Sequence, residues 1–159
     1  PAAGAGLLRS PPMTAPESER PVARVEVEVR YAETDQMGVV HHANYLVWFE
    51  LARTRLCALA GCHYAEIERS GYLLMVVGAT LRYRAAARYG DRVEVTARLA
   101  RLASRALTFA YEVRRAGELL ATGTTEHLWV EAASRRPTTL PAPLRAPFGA
   151  LAGRPGGEP

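Results

Sequence analysis

Residues able to do chemistry are concentrated between Tyr31 and Arg53, in the run Tyr-Ala-Glu-Thr-Asp-Gln-Met-Gly-Val-Val-His-His-Ala-Asn-Tyr-Leu-Val-Trp-Phe-Glu-Leu-Ala-Arg. Glu33 and Asp35 fall in a polar loop after an alternating stretch, and His41 and His42 stand just before an apolar run that starts at Asn44. A carboxylate brought next to a helix N-terminus faces backbone N–H groups with no partner inside the helix, which favour developing negative charge. A base or nucleophile opposite such an oxyanion site suits acyl transfer. By residue type alone, an Asp in a strand-to-helix loop reads first as an Asx turn or a helix cap, with the reacting carboxylate as the alternative, so both roles stay open at this point.

Other chemistries fit less well. All 20 basic residues are arginine, which removes Schiff-base and lysine-base mechanisms. His41, His42, Asp35 and His63 offer metal-ligand atoms, but adjacent histidines on extended backbone point to opposite sides, and neither H-x-x-x-H nor H-E-x-x-H spacing occurs. No metal and no cofactor are expected. Ser70 and Ser104 lie in no nucleophile-elbow sequence. Cys57 and Cys62 do not make a disulfide framework or a Cys-x-x-Cys site, and they fit a reducing cytoplasm. The net charge of +4 invites a nucleic-acid partner, but the arginines are scattered among glutamates with no basic block, so none is expected. No run approaches the ~18 apolar residues of a membrane span.

The elements that must position the chemistry follow from periodicity. The chain has the length of one ordinary domain, expected over 22–149. Residues 1–21, rich in Pro, Ala and Ser, read as a disordered leader too poor in apolar residues for a signal-peptide core, with Met13 a candidate start. Val25, Val27, Val29 and Tyr31 alternate with Glu26, Glu28 and Arg30, which predicts a strand delivering Asp35 to the rim of a core. Asn44 is a candidate N-cap of a helix to about Ala60, apolar nearly all round in its first turns and therefore expected to be enclosed. A helical turn over 64–69 and four strands over 73–84, 92–102, 107–113 and 119–131 complete the pattern, with Gly123 expected at a close approach to the helix. The Pro-rich tail from Pro137 is expected to leave the fold, with 150–159 disordered. One strand, one long helix and a run of antiparallel strands make an α+β class in which a sheet wraps a helix.

Tyr31, Thr34-Asp35, Gly38-Val39-Val40, His42, Asn44-Tyr45 and Glu50 with Ala52-Arg53 resemble the opening motif of the hot-dog-fold acyl-CoA thioesterases. The similar branch includes 4-hydroxybenzoyl-CoA thioesterase and the thioesterases associated with the Tol-Pal system. Glu33 stands where relatives often carry Asp, and His41 where an aromatic residue is common. The resemblance implies a curved sheet around one helix and hydrolysis of an acyl-CoA to free acid and coenzyme A. It implies Asp35 as base or nucleophile, the two roles left open, and the backbone N–H at His42 as the donor that polarises the thioester carbonyl. The His42 imidazole is either a further donor or a holder of the loop. Tyr45 and Glu50 are candidates on the substrate side, Glu50 alternatively an ion-pair or interface residue. Arg88, Ser104 and Arg105 are candidates for coenzyme A phosphates. A homo-oligomer, a dimer of dimers with sites between subunits, is also implied. A non-catalytic acyl-CoA-binding protein and a hot-dog dehydratase are the alternatives.

Overall fold

The structure, a computed structural model, describes residues 19–153. Alternating apolar and charged residues build five strands: β1 (Val22–Glu28), β2 (Tyr72–Tyr83), β3 (Arg92–Leu102), β4 (Ala106–Arg115) and β5 (Glu118–Glu131). They form one antiparallel sheet in the order β1-β3-β4-β5-β2. Val93, Val95, Ala97 and Leu99 of β3 and Leu107, Phe109, Tyr111 and Val113 of β4 are buried, as a period of two demands when one face is covered. Register shifts at Val76/Gly78, Leu99/Arg101 and Val113/Arg114 bend these strands, since the extra residue of a bulge increases local twist. Ala116 (φ 48°) and Gly117 (φ 86°) turn β4 into β5, the two left-handed residues such a hairpin favours.

The helix α1 (Asn44–Leu59) packs on the face opposite the wet side chains, burying Tyr45, Trp48, Phe49, Ala52, Arg53, Leu56 and Cys57. The Phe49 ring stacks on Tyr111 with centroids 4.2 Å apart and planes 4° from parallel. Gly123 makes this possible: a Cβ there would lie 2.5 Å from Phe49 Cε2 and 2.5 Å from the Thr80 carbonyl oxygen. The close approach expected at Gly123 is therefore present. A short helix α2 (Tyr64–Arg69) leads into β2.

Four expectations need correction. The first strand ends at Glu28, and Tyr31 opens a 3-10 turn over Tyr31–Glu33, where its ring is 77% exposed against Tyr89. Asn44 is the first helical residue, not the cap; Ala43 holds the cap position, and Asn44 Nδ2 donates to the Glu33 carbonyl at 2.8 Å. The helix is not enclosed all round: a single sheet covers one side, leaving Leu46, Val47 and Leu51 exposed. The tail does not leave the fold at Pro137, which bridges Val130. It continues through a 3-10 turn over Ala142–Leu144 into α3 (Arg145–Leu151), where Phe148, Leu151 and Ala152 enter the core and Phe148 meets the Trp129 ring edge-on at 5.1 Å. Leu140, Leu144, Phe148 and Leu151 form a helical apolar stripe that the surrounding prolines obscure. Residues 1–18 of the leader and 154–159 of the tail lie outside the described residues.

Candidate active site

The loop between β1 and α1 is organised by Glu33, a residue only 3% exposed. Its carboxylate accepts from the Arg30 backbone N–H at 2.8 Å, the Arg30 guanidinium at 3.0 Å and Trp48 Nε1 at 3.0 Å. Its carbonyl accepts from the His41 N–H and from Asn44 Nδ2, each at 2.8 Å. Burial pushes the Glu33 carboxyl up, but the donors from Arg30 and Trp48 outweigh it and hold the group below the usual carboxylate range. One buried anion thus ties the loop to the first turns of α1.

Two residues further on, Asp35 makes an Asx turn: its Oδ1 accepts the Met37 N–H at 2.8 Å. Its own N–H donates to the Val39 carbonyl at 2.9 Å, and its carbonyl accepts from the Gly38 N–H at 2.9 Å. Gly38 (φ 71°) supplies the left-handed residue that closes this turn. Among the described residues, Oδ2 accepts no hydrogen bond, and Asp35 lines a pocket of about 360 Å³. Met37, Val39, Val40, His42 and Tyr45 line it from the loop and helix; Tyr83, Arg84, Ala85 and Ala86 line it from the end of β2. One carboxylate oxygen is held by the turn while the residue lines the cavity, so the Asx turn leaves the other oxygen uncommitted.

His42 lines the same pocket and stands immediately before the cap of α1. The N–H groups of Val40, His41, Ala43 and Asn44 donate to Ala87 O, Glu33 O, His41 Nδ1 and His41 O. The His42 N–H donates to no atom among the described residues, while its carbonyl accepts from the Tyr83 hydroxyl at 3.1 Å. The histidine rings do not point to opposite sides as expected; the chain turns here, and their centroids lie 4.0 Å apart. Tyr45 is buried behind the pocket, with its ring 5.2 Å from Tyr83 and 4.9 Å from Trp48. Burial raises the Tyr45 and Tyr83 phenols above their ordinary value.

The other candidates do not converge on this pocket within one chain. Glu50 is exposed and 3.9 Å from Arg53 Nη2. Arg88 borders the rim, its guanidinium donating to Gly38 O at 3.2 Å. Ser104 and Arg105 occupy the turn between β3 and β4, where Arg105 O accepts the Trp129 N–H. Trp129 pairs with Leu74, and from Leu74 to Tyr83 β2 covers roughly 30 Å at ~3.3 Å per residue, so Arg105 lies at the far end of the sheet from Asp35. Among the described residues no group of three His, Cys, Asp or Glu side chains is placed to hold a metal ion.

Sequence reasoning missed Tyr83 and the role of Glu33. It also missed a buried chain in the core: Arg53 donates to Tyr64 at 2.9 Å, Tyr111 bonds Thr125 at 2.6 Å, and Thr125 bonds His127 Nε2 at 2.8 Å. A polar residue within an otherwise alternating strand, as at Thr125 and His127, is the signal that could have found this chain.

A curved sheet packed on one helix, with Asp35 and His42 lining one pocket where that helix starts, is the arrangement that the opening motif implied. The chain belongs to the thioesterase-like superfamily, whose family model matches residues 29–148. It is 39% identical over 117 residues to the putative acyl-CoA thioesterase YneP of Bacillus subtilis, covering 73% of this chain and 85% of that protein. It is 29% identical to the acyl-CoA thioester hydrolase YbgC of Escherichia coli O6:H1, covering 79% and 94%. Among solved structures, the hypothetical protein TT1821 of Thermus thermophilus superposes with a TM-score of 0.77 at 46% identity, covering 80% of this chain and 98% of that one. The DHNA-CoA thioesterase of Staphylococcus aureus superposes at 0.73 with 33% identity, covering 75% and 80%. These likenesses bear out the hot-dog fold and the thioesterase family that the opening motif implied.

Proposed function

We propose that this protein hydrolyses acyl-CoA thioesters, with Asp35 as the reacting carboxylate and the His42 backbone N–H as the oxyanion donor. The observation that carries the proposal is that one pocket is lined by two residues, Asp35 and His42, whose carboxylate Oδ2 and backbone N–H have no hydrogen-bond partner among the described residues. The names of the relatives, acyl-CoA and DHNA-CoA thioesterases, support the substrate class. Asp35 either attacks the thioester carbon to form an anhydride that water then cleaves, or removes a proton from the attacking water; in both routes the thiolate of coenzyme A leaves. Negative charge on the carbonyl oxygen is met by the His42 N–H, a kind of contact worth about 3 kcal/mol in the transition state.

The working unit in this reading is a homo-oligomer, at least a dimer. Leu46, Val47 and Leu51 on α1 and Met75, Val76 and Val77 on the edge strand β2 are exposed in the single chain. A second copy covers such an edge and apolar surface. It would also bring its own Arg105 and Ser104 toward a site they do not reach in their own chain. The two free thiols, Cys57 and Cys62, fit action in a reducing cytoplasm. A panel of short, long and aromatic acyl-CoAs with detection of released thiol tests the function. Steady turnover of at least one is expected; binding of coenzyme A without thiol release from any would instead favour a non-catalytic acyl-CoA-binding protein.

A further inference from the structure

Tyr83 lines the pocket, yet neither route above gives it a part. It is the last residue of β2, and that end of the strand is anchored: the Arg84 and Ala85 N–H groups both donate to Leu120 O, at 2.8 and 3.1 Å. From this fixed position its hydroxyl reaches across to the His42 carbonyl at 3.1 Å, while its ring packs edge-on against Tyr45, at 76° between planes. On the other side of His42, the Glu33 carbonyl holds the His41 N–H, and His41 Nδ1 accepts the Ala43 N–H. His42 therefore hangs between two clamps, the buried Glu33 and the strand-borne Tyr83, and its N–H donates to no atom among the described residues.

We propose that Tyr83 is a positioning residue for thioester hydrolysis: its hydroxyl holds the His42–Ala43 peptide by its carbonyl while the Asn44 N–H holds the His41 carbonyl of the preceding peptide, and the two together set, about the His42 Cα, the direction in which the His42 N–H meets the thioester oxygen. The inference rests on the reading of His42 as the oxyanion donor. A donor helps only if aimed at the place where charge develops, so loss of aim lowers turnover more than substrate affinity. In this role Tyr83 acts through the His42 backbone, to which its hydroxyl donates.

The test is Tyr83→Phe in the full chain, with kcat, KM, coenzyme A affinity and melting temperature measured together. The ring and its Tyr45 contact survive, so folding is preserved. The expected result is a kcat roughly 3- to 10-fold lower, the effect of one neutral hydrogen bond, with KM and melting temperature unchanged. Tyr83→Leu, which also lacks the hydroxyl, must show at least the same loss in kcat. Wild-type kcat in Tyr83→Phe, or a loss matched by a fall in melting temperature, overturns the proposal. Asp35→Asn separates the two levels: if it is inactive while Tyr83→Phe runs at the wild-type rate, only the positioning role fails; if it turns over normally, the reading of the site itself fails.

Discussion

Replacing Gly123 by Ala should destabilise the fold and slow the enzyme together, because this glycine lets α1 close onto the sheet. The added Cβ would sit 2.5 Å from Phe49 Cε2 and 2.5 Å from Thr80 O, both well inside van der Waals contact. A flexible side-chain end could yield, but the Thr80 carbonyl belongs to the neighbouring strand, where Leu81 pairs with Gly123, and the Phe49 ring is held flat on Tyr111. Relief therefore requires the helix or a strand to move. Overpacking of this kind costs about 1–3 kcal/mol, and a backbone obstacle places it at the upper end. The opposing gain, the lower chain entropy of unfolded Ala relative to Gly, is only ~0.5–1 kcal/mol. A net loss of about 2 kcal/mol corresponds to roughly 4–8 °C in melting temperature for a domain of this size. Since Phe49 follows Tyr45 by one helical turn, displacement there also shifts the pocket wall, and kcat should fall. Thermal unfolding and turnover of Gly123→Ala are the assays; a melting temperature within about 1 °C of wild type would refute the reasoning.

Three further predictions concern charge, assembly and pH. Replacing both Arg88 and Arg105 by Ala should raise KM more for acyl-CoA than for a pantetheine thioester without the nucleotide phosphates; equal effects on the two substrates would show a structural role. Val47→Glu with Leu51→Glu, on the exposed side of α1, should shift the protein to monomer in light scattering and lower its activity, whereas an unchanged oligomer would place the interface elsewhere. Burial, followed by the charge of Arg53, depresses His127 from 6.5 to about 4. The unfolded chain takes up that proton first as pH falls, so this contribution to stability is complete above pH ~6.5 and is lost as pH falls from ~6.5 toward 4. The loss amounts to at most ~3 kcal/mol. Urea unfolding at pH 7 and 4.5 should show this slope, and His127→Gln should flatten it.

Much of the fold was legible because β3 and β4 alternate so regularly that burial on one face is forced. The helix start was legible as a location but not in its contacts. Asn44 looks like a cap by type, yet its side chain is drawn away to the Glu33 carbonyl by a carboxylate hub that no local pattern reveals. The exposed side of α1 was misread because an apolar residue promises cover without saying whether the same chain or another provides it. In the tail, proline content argued for departure from the fold, while the stripe through Phe148 and Leu151 was strong enough to bring it back. Asp35 and His42 could be singled out in sequence because both belong to the opening motif that the resemblance rests on, and that motif lies within one short stretch. Tyr83 could not, since its contact with His42 spans 41 positions and depends on where β2 stops.

The most direct test of the account is kcat for Asp35→Asn on the best acyl-CoA of the panel, measured with its melting temperature and coenzyme A affinity. Asn preserves the shape and can still accept the Met37 N–H through its side-chain oxygen, but it lacks the basic, nucleophilic carboxylate. A residue that served only the turn would cost at most ~2 kcal/mol of stability and leave turnover nearly intact. A base or nucleophile predicts a kcat at least ~100-fold lower in a folded protein that still binds coenzyme A. A folded, ligand-binding Asp35→Asn variant that turns over within tenfold of wild type would contradict the account.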